Sequence, residues 1–417
     1  MLQSGVVSEG WRDVATQNKN VYVLMMAQAC FLASSMTVVS FSGLAGKLLS
    51  PDPKYATLAT SLIIAATALS TGPMSMLMQR YSRRVGFRFG STMGVCGGML
   101  GAYSLYVGSF TLLCIASLLL GVFQASAQYY RFAAAESVPA DNAARAISLV
   151  LVGGLLAALI VPTLVGWFNE IAAPYSFMGA YLFVIAATLM SFVPLALFKP
   201  LDSPLKVAAE VDGPKPSPAR PFGQILRTPV FIVAVLNGAL GFAMMSFVMT
   251  ATPLAMDICG FGTDVSFRVI QAHVIAMFLP SLFTGYLIKR FGLVTILLSG
   301  HALFAISFFT ALSGIQLWQF SVSLLALGVA WNFCFIGGST LLTQVHTESE
   351  KGKVQGVNEF IVFGVSAVAS FAAGILLDLY GWATVNQAAF VMLSVAATAT
   401  ILWGVSSQRR KHESLVQ

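Results

Sequence analysis

Charge is what this sequence has least of. Only 9% of its 417 residues are Asp, Glu, Lys or Arg, against about a quarter in an ordinary soluble domain, while 57% are hydrophobic. A chain of this composition cannot cover its own surface with polar groups, so a soluble enzyme is excluded and lipid is the expected solvent. Paired cysteine is missing as well. Cys30, Cys96, Cys114, Cys259 and Cys334 form no CxxC spacing, which removes a zinc site and a disulfide framework. The polar first twenty residues, with Glu9, Arg12, Asp13 and Lys19, contain no short apolar core before a small-residue cleavage site, so no cleaved signal peptide is expected. The net charge of +7 is spread between apolar runs rather than gathered in one tract, which argues against nucleic acid as a partner.

What is present in quantity is long apolar runs. A hydrocarbon core of about 30 Å needs roughly 20 apolar residues per helix, and such runs lie at 21–48, 55–78, 89–108, 110–134, 145–168, 173–197, 229–252, 268–288, 293–312, 316–344, 355–377 and 382–405. The pattern predicts an all-α membrane protein of twelve transmembrane helices in two six-helix bundles, 21–197 and 229–405. A short segment 1–20 precedes them and a tail 406–417 follows. Between the bundles, 198–228 carries Pro200, Pro204, Pro214, Pro216, Pro218 and Pro221 among charges, the composition of an extended solvated linker.

Lys and Arg alternate from loop to loop. One side receives Arg80, Arg83, Arg84, Arg88, Arg145, the linker, Lys289, Arg290, Lys351, Lys353 and the tail, whereas the other receives only Lys47, Lys54 and Arg268. By the positive-inside rule both termini and the linker are expected in the cytoplasm, with the chain in a bacterial inner membrane.

The two halves echo each other after their second spans. Met78-Gln79-Arg80-Tyr81-Ser82-Arg83-Arg84 and Gly285-Tyr286-Leu287-Ile288-Lys289-Arg290-Phe291-Gly292 both resemble the loop signature Gly-x-x-x-Asp-Arg-x-Gly-Arg-Arg of the major facilitator superfamily. Gln79 and Lys289 stand where that signature has its Asp. The resemblance implies a central cavity open alternately to the two sides, and transport rather than catalysis.

Polar groups inside a bilayer are expensive and so are functional candidates. Met245 and Met249 on the seventh span, with His273 and Met277 on the eighth, form two pairs four residues apart, a spacing that puts each pair on one helix face. Thioethers with an imidazole suit a soft ion such as Cu(I), while methionine is equally a common gap-filler. Arg131 reads as a helix-end anchor, or as a buried cation pairing with Glu136 or an anionic solute. In the latter case Tyr129 and Tyr130 are natural stacking partners. Asn332 and Glu359 are further candidates for a substrate or structural role. No carboxylate lies within the first six spans, which weakens the alternative of a proton-coupled exporter.

The two pairs, together with Gln128-Tyr-Tyr-Arg131-Phe-Ala-Ala, Met249-Thr-Ala-Thr-Pro-Leu-Ala-Met256 and Trp331-Asn332-Phe333, resemble the CcoA-like copper importers, a proteobacterial branch of the major facilitator superfamily. That resemblance implies copper uptake, with Met245, Met249, His273 and Met277 as ligands and copper as cargo rather than cofactor. A monomer in the lipid bilayer is expected, with a cytoplasmic copper chaperone as a candidate receiving partner. Cys259 stands where members of the branch carry a functional thiol; it is a candidate relay at the outer mouth, with Cys30 facing it from the other half. Import of a small organic solute is the alternative, since relatives of this branch include proposed riboflavin transporters.

Overall fold

A computed structural model describes residues 19–51, 58–199, 220–347 and 349–416. Most of the expected segment 1–20 and of the linker 198–228 lies outside them. Every regular element among the described residues is helical. The first half contains α1 (Asn20–Leu49), α2 (Leu58–Arg80), α3 (Arg83–Val107), α4 (Phe110–Ala127, continued after a turn by Tyr130–Glu136), α5 (Ala143–Ile171) and α6 (Met178–Leu197). The second contains α7 (Pro229–Ile258), α8 (Thr263–Phe278, continued through a 3₁₀ turn by Thr284–Phe291), α9 (Leu293–Leu312) and α10 (Leu317–Leu342). The final helical stretch, Lys351–Val416, is broken at Gly381 (φ 80°, ψ 177°), which separates α11 (351–380) from α12 (382–416).

These boundaries follow local chemistry. Ser82, Ser109 and Thr228 accept hydrogen bonds from the backbone N–H three residues on, at 3.2, 3.4 and 3.4 Å, the N-cap arrangement that satisfies an otherwise orphaned donor. Gly108, in the left-handed region, ends α3, and Gln316 with Gln319 forms a capping box at the start of α10. Ten stretches are long and apolar enough to cross a membrane, one of which contains both α11 and α12. The remaining helix, α3, is less apolar because it carries three arginines and six glycines.

Those glycines are where close packing is built. A Cβ on Gly90 would fall on Ser126, on Gly94 against Phe123 and Thr188, and on Gly101 into the ring of Tyr181, so α3 lies directly against α4 and α6. Small-residue faces serve helices that have no hydrophobic driving force to associate within lipid.

Two expected continuous spans are interrupted, and both breaks are satisfied by side chains. In α4 the helix stops at Gln128, whose carbonyl accepts from Arg131 Nη1 at 2.8 Å. In α8 the break surrounds Pro280, which has no N–H to give. There Asn332 of α10 donates to the Met277 carbonyl at 2.7 Å and to Ser281 Oγ at 2.6 Å, and accepts from Thr284 Oγ1 at 2.7 Å. Asn332 is thus a buried clamp on the α8 break, fully shielded from solvent.

The close approach of α4 to α2 yields a direct expectation. A Cβ on Gly121 would sit 2.6 Å from the Ile63 carbonyl and 3.0 Å from the Thr67 nitrogen, backbone atoms that cannot rotate away. Gly121→Leu is expected to destabilise the first half by about 1–3 kcal/mol, read as a lowered thermal midpoint in detergent. Gly364→Ala, where nothing lies within 4 Å, leaves that midpoint unchanged.

Candidate functional site

The two halves meet at the end that carries the arginines. α2 and α11 cross where a Cβ on Gly356 would lie 3.3 Å from Gly72 Cα, and α5 and α8 cross where one on Gly285 would lie 2.6 Å from Arg145 Cα. Polar bonds reinforce both crossings. Ser75 donates to the Gly352 carbonyl at 2.8 Å and Gln79 to the Ser349 carbonyl at 3.1 Å; Ser148 donates to the Ser281 carbonyl at 2.6 Å and accepts from the Gly285 N–H at 3.0 Å. Gln79 occupies the position of the signature's Asp. An ionised carboxylate has no proton to offer a carbonyl, whereas the amide does, so the departure converts that position from acceptor to donor.

A network of charge closes the same end. Glu136 pairs with Arg83 at 2.5 Å and Lys351 at 3.5 Å, and Gln355 bridges it, accepting from Arg83 at 2.6 Å and donating to Glu136 at 3.3 Å. Deeper, Arg131 pairs with Glu359 at 2.6 Å, both side chains essentially without solvent access. Arg131 therefore takes its partner from α11 in the other half, and Glu136 takes Arg83. The hydrogen bonds and ion pairs found between the halves among the described residues all belong to this end and to the middle of the helices.

Above Arg131 the halves separate around a cavity of about 290 Å³, adjoined through Met249, Met277 and Phe278 by a second of about 500 Å³ between α1, α5, α7 and α8. Together they reach the size of small-molecule sites. Both walls mix apolar and hydroxyl side chains, Phe31 and Leu151 among the first half's and Ser246 and Ser366 among the second's, but the amides lie on one and most of the rings on the other. From the first half come Gln28, Gln124 and Gln128, with Ser35 and Thr67 beside them; from the second come Phe242, Trp331, Phe335, Phe278 and the thioethers of Met245, Met249 and Met277. Trp331 stacks on Phe335 at 4.7 Å and 15°, with Phe242 and Phe278 edge-on at 5.8 and 5.7 Å. Its Nε1–H is buried and has no hydrogen-bond partner.

The expected four-residue constellation is divided. Met245, Met249 and Met277 line the cavity. His273, fully buried, is outside the lining of both cavities and hydrogen-bonds through Nδ1 to the Leu324 carbonyl of α10 at 2.7 Å. Tyr129 is likewise outside the lining and fully buried, its hydroxyl donating to the Thr71 carbonyl at 2.7 Å. Cys259, half-buried at the end of α7, and Cys30, buried in α1, are free thiols outside both linings. The glutamine wall and the aromatic box were not singled out from sequence. Glutamines inside apolar spans are the signal that points to the first; the second has no signal, since aromatic residues fill cores and sites alike.

With this geometry the comparisons with known proteins agree. The chain matches the Major Facilitator Superfamily over residues 24–279 and again over 269–416. It is 39% identical over 390 residues to the riboflavin transporter RfnT of Brucella anthropi, covering 94% of this chain and 97% of that one. It is 26% identical to the uncharacterized MFS-type transporter YddS of Bacillus subtilis, over 86% of this chain and 85% of that one. Among solved structures it is similar to a bacterial homologue of the iron transporter ferroportin in its outward-facing state, with a TM-score of 0.70, 14% identity, and coverage of 93% and 99%; that likeness concerns the fold. The chain is a transporter and belongs to the major facilitator superfamily.

One contact at the closed end makes a pH-dependent expectation. Arg220 grips Glu350 through Nε at 2.9 Å, Nη2 at 2.7 Å and its backbone N–H at 2.9 Å. These bonds, chiefly the guanidinium's, hold the Glu350 carboxyl well below its ordinary value of 4.5. A carboxylate with a depressed folded pKa adds stability above its unfolded pKa and loses it as the pH falls through the folded one. Arg220 is 44% exposed, so the pair contributes at most about 1 kcal/mol. Arg220→Ala is expected to lower the thermal midpoint by a constant amount from pH 8 to pH 5, and the gap from wild type is expected to narrow below pH 4.5.

Proposed function

We propose that this transporter imports a small organic solute built on a planar ring system, with riboflavin as the representative. The observation that carries the reading is the cavity lining: most of its aromatic rings on the second half, and amides that both donate and accept on the first. A ring such as isoalloxazine would lie against Trp331 and Phe335, and its polar edge and hydroxylated chain would meet Gln28, Gln124 and Gln128. The name of the 39%-identical relative supports the same class of cargo. With the arginine-bearing end in the cytoplasm, as the loop charges suggest, the conformation is closed inward and open outward, the state that receives cargo for import into the cytoplasm.

Copper is the second reading, favoured by one observation: three thioethers line the same cavity, and sulfur ligands select soft ions. It gives His273 no place in that lining and leaves the amide wall unused. The two readings separate in uptake assays with proteoliposomes. Riboflavin import predicts that Trp331→Ala reduces labelled riboflavin uptake about fivefold or more, since ring stacking contributes about 1–3 kcal/mol. It also predicts that Trp331→Phe keeps part of the activity and that Met245→Ala/Met249→Ala leaves copper accumulation at the background of empty vesicles. Copper accumulation above that background, abolished by the methionine substitutions, with no riboflavin uptake in wild type, would reverse the assignment.

A further inference from the structure

The cavity's one charged lining residue is Arg131, and its surroundings leave it little to offer a ligand. Nε donates to Ser339 Oγ at 3.0 Å, Nη1 to the Gln128 carbonyl at 2.8 Å and to Gln128 Oε1 at 3.2 Å, and Nη2 to Glu359 at 2.6 Å. A guanidinium has five N–H groups, so with each bond taking one, a single N–H remains. The guanidinium carbon also lies 4.5 Å from the ring centroid of Phe132 and 4.4 Å from that of Phe335. Recognition of a carboxylate or phosphate by arginine uses two parallel N–H groups on one free edge, and no such edge is left. The counterion is committed through one oxygen: Glu359 Oε1 takes Arg131, while Oε2 is buried without a hydrogen-bond partner. Glu359 is wholly buried, lies outside the cavity lining, and also accepts from Asn358 at 2.8 Å.

We infer that the Arg131–Glu359 pair makes the floor of the cavity electrically neutral and so selects for an uncharged solute, with Glu359 as the specificity-determining residue that withholds Arg131 from anions. This rests on the organic-solute reading above. An anionic cargo entering here would shed its water against a wall of amides and aromatic rings with no uncompensated positive charge to receive it, which is strongly unfavourable. An uncharged cargo meets no such penalty. Replacing the Glu359 carboxylate with an amide of the same shape leaves an unbalanced guanidinium at the cavity floor and should turn the site toward anions.

Riboflavin and its 5′-phosphate share ring and side chain and differ by a phosphate of nearly two negative charges at neutral pH, so binding of both to the purified full chain, followed by flavin fluorescence, reads the inference directly. Wild type is expected to bind riboflavin at least about tenfold more tightly than the 5′-phosphate. Glu359→Gln is expected to raise affinity for the 5′-phosphate about tenfold, erasing or inverting the preference. Arg131→Gln/Glu359→Gln, neutral again, is expected to restore it. Thermal midpoint and monodispersity establish that each variant is folded; if Glu359→Gln does not fold, the wild-type ratio and the double variant decide. Equal affinity of wild type for the two flavins overturns the inference, as does a folded Glu359→Gln or double variant whose ratio departs from this order. Failure of wild type to bind or transport either flavin instead overturns the assignment of cargo.

Discussion

Arg131 and Glu359 face each other at 2.6 Å with no water between them and one residue in each half of the molecule. Removing two such charges from water costs several kcal/mol per ion, and the structure offsets that cost by surrounding the pair with further partners: Ser339, Gln128 and Asn358, and two aromatic rings near the guanidinium. The pair therefore fixes much else. It holds the turn in α4, because the Gln128 carbonyl freed there is taken by Arg131. It joins α4 to α11 beneath the cavity, and it determines the charge the cargo meets. Any conformation that opens the arginine-bearing end must part these residues or carry them together.

That requirement connects the pair to the outer layer of closure. Glu136, Arg83 and Lys351 are only partly shielded, so water replaces their mutual bonds at small cost when the ends separate. The deeper pair has no such substitute until the cavity itself admits water. The closed end is thus graded, with an exchangeable polar latch near the surface and a buried one that resists opening from that side. Between them the crossings at Gly72–Gly356 and Arg145–Gly285 act as close backbone contacts about which the halves can rock.

Much of this was legible in the sequence and some was not, for physical reasons. Apolar run length reports helix spans because lipid forces every backbone group to be satisfied within the helix, and all twelve expected spans have their helix. The same rule hid the breaks at Gln128 and Pro280, since the Gln128 and Met277 carbonyls beside them are satisfied by Arg131 and Asn332, side chains brought in by tertiary structure. Spacing placed Met245 and Met249 on one face of α7, and both line the cavity. His273, expected beside them, lies outside the lining and uses Nδ1 on the Leu324 carbonyl of α10. The glutamine wall combines residues about a hundred positions apart in α1 and α4, and no local pattern announces such a surface.

The division of the walls bears on what a cargo can do, not only on what it is. A ligand shifts an equilibrium between two conformations only by its difference in affinity for them. An ion held by Met245, Met249 and Met277 touches α7 and α8 alone, within one half, and keeps those contacts whichever end is open. A solute spanning from Trp331 and Phe335 to Gln28, Gln124 and Gln128 touches both halves, so its contacts tighten as the outer ends approach and loosen as they part. On the proposed reading, cargo binding favours closure over itself, and the placing of amides on one half and most of the aromatic rings on the other is what gives it that leverage.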